Sequence, residues 1–150
     1  MRLNRYEFSA GENFESFEFI SEGPKGKIRK LIHFSLINEF NYYNLALGDI
    51  NSISGDFDDF VVTDNGDTEK VLATVVAAAY AFCDKHPDSW IYATGSTAAR
   101  TRLYRMGINK HFDTVKEDFE VYGEFQNEWE EYIKDKNYQA FVVKKRKFEV

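Results

Sequence analysis

YATGSTAARTRLYRMG, residues 92 to 107, decides how this chain is read. Trp90, Ile91, Tyr92 and Ala93 have the apolar, β-prone character of a buried strand. Thr94, Gly95, Ser96 and Thr97 interrupt it with a tight polar turn. Gly95 is expected either at a positive φ or where another stretch of backbone comes close. The hydroxyl of Ser96 or Thr97 suits the first free N–H groups of a following helix. That helix is predicted from about Ala98 to Met106, with Gly107 ending it in a left-handed conformation. At roughly 100° per residue, Ala99, Leu103 and Met106 share one face, and Thr97, Thr101, Tyr104 and Ile108 share another. Arg102 and Arg105 lie between them, and Arg100 lies on the opposite flank. Two semi-apolar faces imply packing on more than one side.

Two readings of this stretch stand side by side. In one, Gly95, Ser96 and Thr97 form a cradle at the helix start, and Arg100, Arg102 and Arg105 donate to a bound anion or cofactor phosphate. In the other, the turn is only a cap and the arginines pair with acids of the chain, as ion pairs on helix flanks commonly do, or with backbone carbonyls.

The chain has 150 residues, enough for a single domain with a real core. Aromatic residues make up 17% of it, so rings should dominate that core. The formal net charge is −6, which disfavours non-specific nucleic-acid binding because that is driven by phosphate neutralisation. The single cysteine, Cys83, allows no internal disulfide. No apolar stretch follows Met1 as a secretory signal would, and no run is long enough to span a bilayer. The expectation is a cytoplasmic protein away from membranes, with a protein partner left open.

Working outward, residues 14 to 48 read as an antiparallel meander. Phe14 to Ile20 and Ile28 to Ile37 form long strands around a turn at Pro24, and Tyr42 to Leu47 forms a third. Tyr6 and Phe8 suggest a short strand before it. Between Asp49 and Glu69 seven acids occur with no Lys or Arg among the residues that separate them, and Phe60, Val61 and Val62 suggest a short strand inside. The calcium-loop pattern is missing, because Val61 stands where its glycine should be, so no metal site is assigned. Thr68 to Lys85 is the strongest helix, with Val71, Leu72, Val75, Val76, Ala79, Phe82 and Cys83 at helical spacing. Phe119 to Tyr122 and Tyr138 to Val143 read as closing strands, with 127 to 137 between them as a loop, and Lys144 to Lys147 as a basic end. The fold class is α+β: a mixed, mostly antiparallel sheet of about six or seven strands with two main helices, in the order β-β-β-α-β-α-β-β.

That order, over residues 14 to 146, resembles the GNAT superfamily of N-acetyltransferases, without the pair of helices those enzymes usually place after their first strand. STAARTRLYRMGI resembles the superfamily's helix that ends in Tyr, Gly and an apolar residue. The resemblance implies a general-acid role for Tyr104 and acetyl-coenzyme A as cofactor. Where the superfamily carries a glycine-rich turn for pyrophosphate, this chain has Asp64, Asn65, Gly66, Asp67 and Thr68. Asp67 and Glu69 would repel a pyrophosphate there. SEGPKGKI, YYNLALGD, NGDTEKVLATVVAA and ATGSTAARTRLYRMGI are similar to a family of uncharacterised small proteins from Bacteroidota. The function expected is a non-catalytic interaction or binding protein. The alternatives are an acyl-coenzyme A-dependent N-acyltransferase-like enzyme and a binder of a nucleotide or other anionic metabolite.

Overall fold

The structure, a computed structural model, describes residues 4–58, 63–95 and 97–147. The strands are β1 (Ser9–Ala10), β2 (Ser16–Gly23), β3 (Gly26–Leu36), β4 (Tyr42–Ile50), β5 (Phe57–Asp58), β6 (Trp90–Ala93), β7 (Phe119–Phe125), β8 (Glu128–Glu131) and β9 (Ala140–Lys145). Helix α1 (Thr68–Lys85) links β5 to β6, and α2 (Ala98–Asp118) links β6 to β7. The sheet runs β1-β2-β3-β4-β6-β9-β7-β8, with β5 on the end of β4. Among the described strands β4 and β6 form a parallel pair; the other pairings are antiparallel. The class is α+β as expected, with nine strands rather than six or seven.

The extra strands have local causes. β8 lies inside 127 to 137, read from sequence as a loop. Gln126 and Asn127 both adopt positive φ, 52° and 67°, and so build the two-residue turn that matches strand twist. Phe125 then pairs with Glu128, and the charged run that follows becomes an edge strand. β1 forms at Ser9–Ala10 rather than at Tyr6 and Phe8, whose rings instead pack on Phe19 and Phe17. The strand expected at Phe60, Val61 and Val62 lies outside the described residues, next to β5.

Both helices pack on one face of the sheet. Phe82 of α1 stacks on Phe34 at 4.3 Å and meets Tyr43 edge-on at 4.9 Å. Phe17, Phe34, Leu47, Ile91 and Phe141 are fully enclosed on this side. α2 corrects the sequence reading. Gly107 does not end the helix, which runs on to Asp118. Gly107 is buried in the middle of α2, where a β-carbon would lie 3.1 Å from Leu72 Cδ2 of α1. The glycine serves helix–helix approach, and the polar residues after it continue on the outer face.

The parallel pairing of β4 and β6 is short. It covers Tyr42, Tyr43 and Asn44 opposite Trp90, Ile91 and Tyr92, and then the strands part. The exposed edge of β4 is met by α2. The Leu47 N–H donates to the Tyr104 hydroxyl at 3.1 Å, and the Leu47 carbonyl accepts from Arg100 Nη1. A strand edge that would be left without partners is thus satisfied by two helix side chains.

A cleft between the starts of the two helices

The first turns of α1 and α2 converge beside Lys30, in the middle of β3, and enclose a cleft of about 390 Å³. Its α2 wall is made by Thr97, Arg100 and Arg102, and its α1 wall by Asp64 and Asp67, with Lys30 at the base. The α2 wall is shaped by the turn that precedes it. The Thr97 side chain caps the helix by accepting from the Arg100 N–H at 3.1 Å. The Gly95 N–H donates to Thr101 Oγ1 at 2.9 Å, and a β-carbon on Gly95 would lie 2.2 Å from the Thr101 backbone nitrogen. Close backbone approach, not positive φ, is what requires glycine here. Ser96, named with these residues from sequence, lies outside the described residues.

The three arginines separate. Arg100 is buried, with 5% of its surface exposed, and one of its nitrogens is spent on Leu47. Arg105 reaches the Tyr138 carbonyl at 3.4 Å and does not line the cleft. Arg102 stands exposed on the cleft wall and has neither an ion pair nor a side-chain hydrogen bond among the described residues. None of the three contacts a carboxylate among the described residues; Arg100 and Arg105 bond backbone carbonyls instead, and Arg102 alone of the three has neither kind of partner among those residues. Tyr104 is buried with its ring against an apolar cavity of about 90 Å³ between the helices and the sheet; it does not line the cleft, although its hydroxyl and Arg100 both bond to Leu47.

The α1 wall keeps its acids occupied. Asp67 sits at the N-cap of α1 but does not cap it with its side chain. Its Oδ2 accepts instead from the hydroxyls of Tyr6 at 2.6 Å and Ser21 at 2.5 Å. Burial, and then the bond to Asp67, raises the Tyr6 hydroxyl above its ordinary pKa. Asn65, 1% exposed, closes the β2–β3 turn by accepting from the Lys25 N–H at 2.7 Å and donating to the Gly26 carbonyl at 2.8 Å.

The base of the cleft holds an ion pair that sequence reasoning missed. Lys30 is wholly buried; its Nζ donates to Asp49 Oδ1 at 2.6 Å and to the Thr63 carbonyl at 3.0 Å. Asp49 Oδ2 accepts the Thr63 N–H at 3.0 Å, so one buried pair clips the end of the acidic segment to the sheet. The signal was present: Lys30 falls between Ile28 and Ile32 in the period-two pattern that faces the core.

Among the described residues no group of three or more His, Cys, Asp or Glu is placed to hold a metal ion. Among them, too, no helix is long and apolar enough to cross a membrane. Neither the curated proteins nor the solved structures yield a match to this chain. A family of unknown function (DUF6934) matches residues 2–146, and the chain belongs to it.

Proposed function

We propose that this is a cytoplasmic, non-catalytic binding protein of the Bacteroidota on a GNAT-like scaffold, and that the cleft takes a small anionic ligand such as a nucleotide. The observation that carries this reading is Arg102. It is a guanidinium on a concave wall, beside a second arginine, with no carboxylate partner among the described residues in a chain of 25 acids and 19 bases. Phosphate or carboxylate oxygens would lie against Arg102, Arg100 and the first N–H groups of α2, where no acid occupies the first turn. Asp64 opposite, whose Oδ1 accepts the Gly66 N–H at 2.9 Å, would accept on its other oxygen from a hydroxyl or amino group of the same ligand. This polarity favours a ligand with an anionic end and a donor-rich end over a simple anion.

The non-catalytic part rests on Tyr104. A general acid must reach the reacting atom. The Tyr104 hydroxyl is buried and accepts the Leu47 amide, outside the cleft lining. The element order supports the acyl-coenzyme A alternative, but Asp67 and Glu69 sit at the start of α1, where that cofactor's pyrophosphate would need positive potential.

Thermal melting with phosphate, sulfate, AMP, ATP, coenzyme A and acetyl-coenzyme A tests the reading. A ligand at about a hundred times its Kd stabilises by about 2.7 kcal/mol, or about 5–10 °C for a chain of this size. At least one phosphate-bearing ligand should raise the melting temperature. Arg102→Gln should abolish the rise while leaving the ligand-free melt unchanged. No rise with any anion would overturn the binding site, and acyl transfer from acetyl-coenzyme A to an amine would overturn the non-catalytic assignment.

A further inference from the structure

The sheet face opposite the helices is the second surface with unassigned chemistry, and it is independent of the cleft. Alternate residues of β4, β6, β7, β8 and β9 point to this side, and no described helix covers them. They place Tyr42, Trp90, Tyr92, Tyr122, Trp129 and Val142 around a shallow concavity of about 310 Å³. Tyr42 and Trp90 stack nearly parallel at 5.6 Å, Trp90 meets Tyr122 at 6.1 Å, and Tyr92 meets Trp129 at 6.1 Å. Trp129 is 45% exposed. The other four rings are half-buried, and apolar side chains in one contiguous group mark a contact surface more often than scattered ones do.

The rim says what kind of contact. Glu131 pairs in register with Tyr122, and Glu124 with Trp129. Glu120 accepts the Tyr122 hydroxyl at 2.9 Å. None of these three glutamates has an ion-pair partner among the described residues. The face of an aromatic ring is itself electronegative, so five rings among three unpaired carboxylates form a site for positive charge. The chain already uses it once: Lys144 Nζ lies 5.1 Å from the centre of the Trp90 ring.

We propose that this aromatic face docks a basic segment of a partner protein, with arginine or lysine side chains seated on Tyr92 and Trp129, beside the Trp90 ring that Lys144 already covers, and paired with Glu120, Glu124 and Glu131. The glutamate rim decides against other occupants. A second copy brings the same net charge of −6 and the same acidic rim. A nucleic acid brings phosphates, which the rim repels. A sugar stacks on rings without needing carboxylates.

The chain's two tryptophans are Trp90 and Trp129, so intrinsic tryptophan fluorescence reports on this surface alone. The intact protein is titrated with tetra-arginine, tetralysine, tetraglutamate, a thymidine oligonucleotide and maltotetraose. Tetra-arginine and tetralysine should change the emission saturably, and the binding should weaken as salt rises; the other three should have no effect. Glu124→Gln should weaken tetra-arginine binding by about fivefold with an unchanged melting temperature. Trp129→Ala, read through Trp90, should weaken it comparably. Absence of saturable binding by tetra-arginine overturns the proposal, as does equal affinity in the wild type and both variants. Binding of the oligonucleotide or the sugar in its place, or self-association in sedimentation that Trp129→Ala abolishes, overturns the choice of occupant.

Discussion

Replacing Lys30 by methionine removes the positive half of the buried pair while keeping the volume of the side chain. Its Nζ is the donor to Asp49 Oδ1 and to the Thr63 carbonyl, and the lysine side chain has 0% exposure against 11% for Asp49. After the change Asp49 keeps, among the described residues, only the Thr63 N–H on Oδ2, and the Thr63 carbonyl loses this donor. Breaking one side of a buried pair costs about 3–5 kcal/mol, because the surviving charge stays desolvated. That is a large part of a folding margin of about 5–15 kcal/mol. At about 2–4 °C per kcal/mol for a chain of this length, the melting temperature should fall by about 6–20 °C. Asp49→Leu alone should be comparably damaging for the mirror reason. The double variant Lys30→Met/Asp49→Leu should recover most of the loss, since an apolar pair of similar volume often equals a buried ion pair. Urea denaturation measures all three against the wild type, with an unchanged m-value as the sign that two-state unfolding is preserved. A Lys30→Met loss under about 1 kcal/mol, or a double variant as weak as either single one, would refute the claim that burial makes this pair obligatory.

Two further outcomes follow from local geometry. Gly95→Ala should destabilise by about 1–3 kcal/mol, because its β-carbon meets backbone at Thr101. Gly107→Ala should be neutral or stabilising by up to about 1 kcal/mol. It improves helix propensity, and the Leu72 methyl that it meets stands beside the apolar cavity and can yield. Urea midpoints of the two variants test the contrast, and equal losses would refute it. His111 has a buried Nε2 without a hydrogen bond, and burial first, then Lys110, lowers its pKa from 6.5, with Glu69 opposing. The unfolded chain therefore binds the proton more readily. The contribution is fully present above 6.5 and is lost as pH falls through the lowered folded value. Melting curves from about pH 7.5 to about pH 5 should fall more steeply for the wild type than for His111→Gln; parallel curves would refute this.

The fold was legible where one signal acted alone. In α1 the apolar spacing from Thr68 to Lys85 met no competing signal, and the helix ends at Lys85 with His86 as its cap. In α2 two signals conflicted. Gly107 looked like a stop because glycine is poor in helix interiors, but contact with Leu72 across the helix pair outweighed that local preference. β8 was missed because Glu128, Glu130 and Glu131 carry little strand propensity. Its existence depends on the Gln126-Asn127 turn and on the neighbouring strand, not on its own residues. The candidate site was half legible for a similar reason. A helix start with arginines can be seen locally in residues 92 to 107. Which arginine is consumed depends on where β4 parts from β6, and that is settled forty residues or more away at Leu47.

The two sides of the sheet show why composition alone misled about charge. With a chain net charge of −6, acids are the obvious partners for the arginines of α2, yet Arg100 and Arg105 bond backbone carbonyls. The acids are instead used in other ways. Asp67 is taken by two hydroxyls, Asp49 by Lys30, and Glu18 by Arg29 at 2.7 Å across β2 and β3. Glu120, Glu124 and Glu131 face the aromatic side without an ion pair among the described residues, Glu120 accepting only the Tyr122 hydroxyl. Half-exposed antiparallel sheets normally set polar residues on their open face. Here the β2–β3 half of that face carries the Glu18–Arg29 pair, whereas the β4-to-β8 half carries stacked rings. The β2–β3 half also exposes Ile20, at 47%, so exposed apolar surface alone does not separate the two halves. What sets the β4-to-β8 half apart is a contiguous group of rings beside glutamates without ion pairs among the described residues, and covering that half with a basic partner would bury the rings and pair the glutamates.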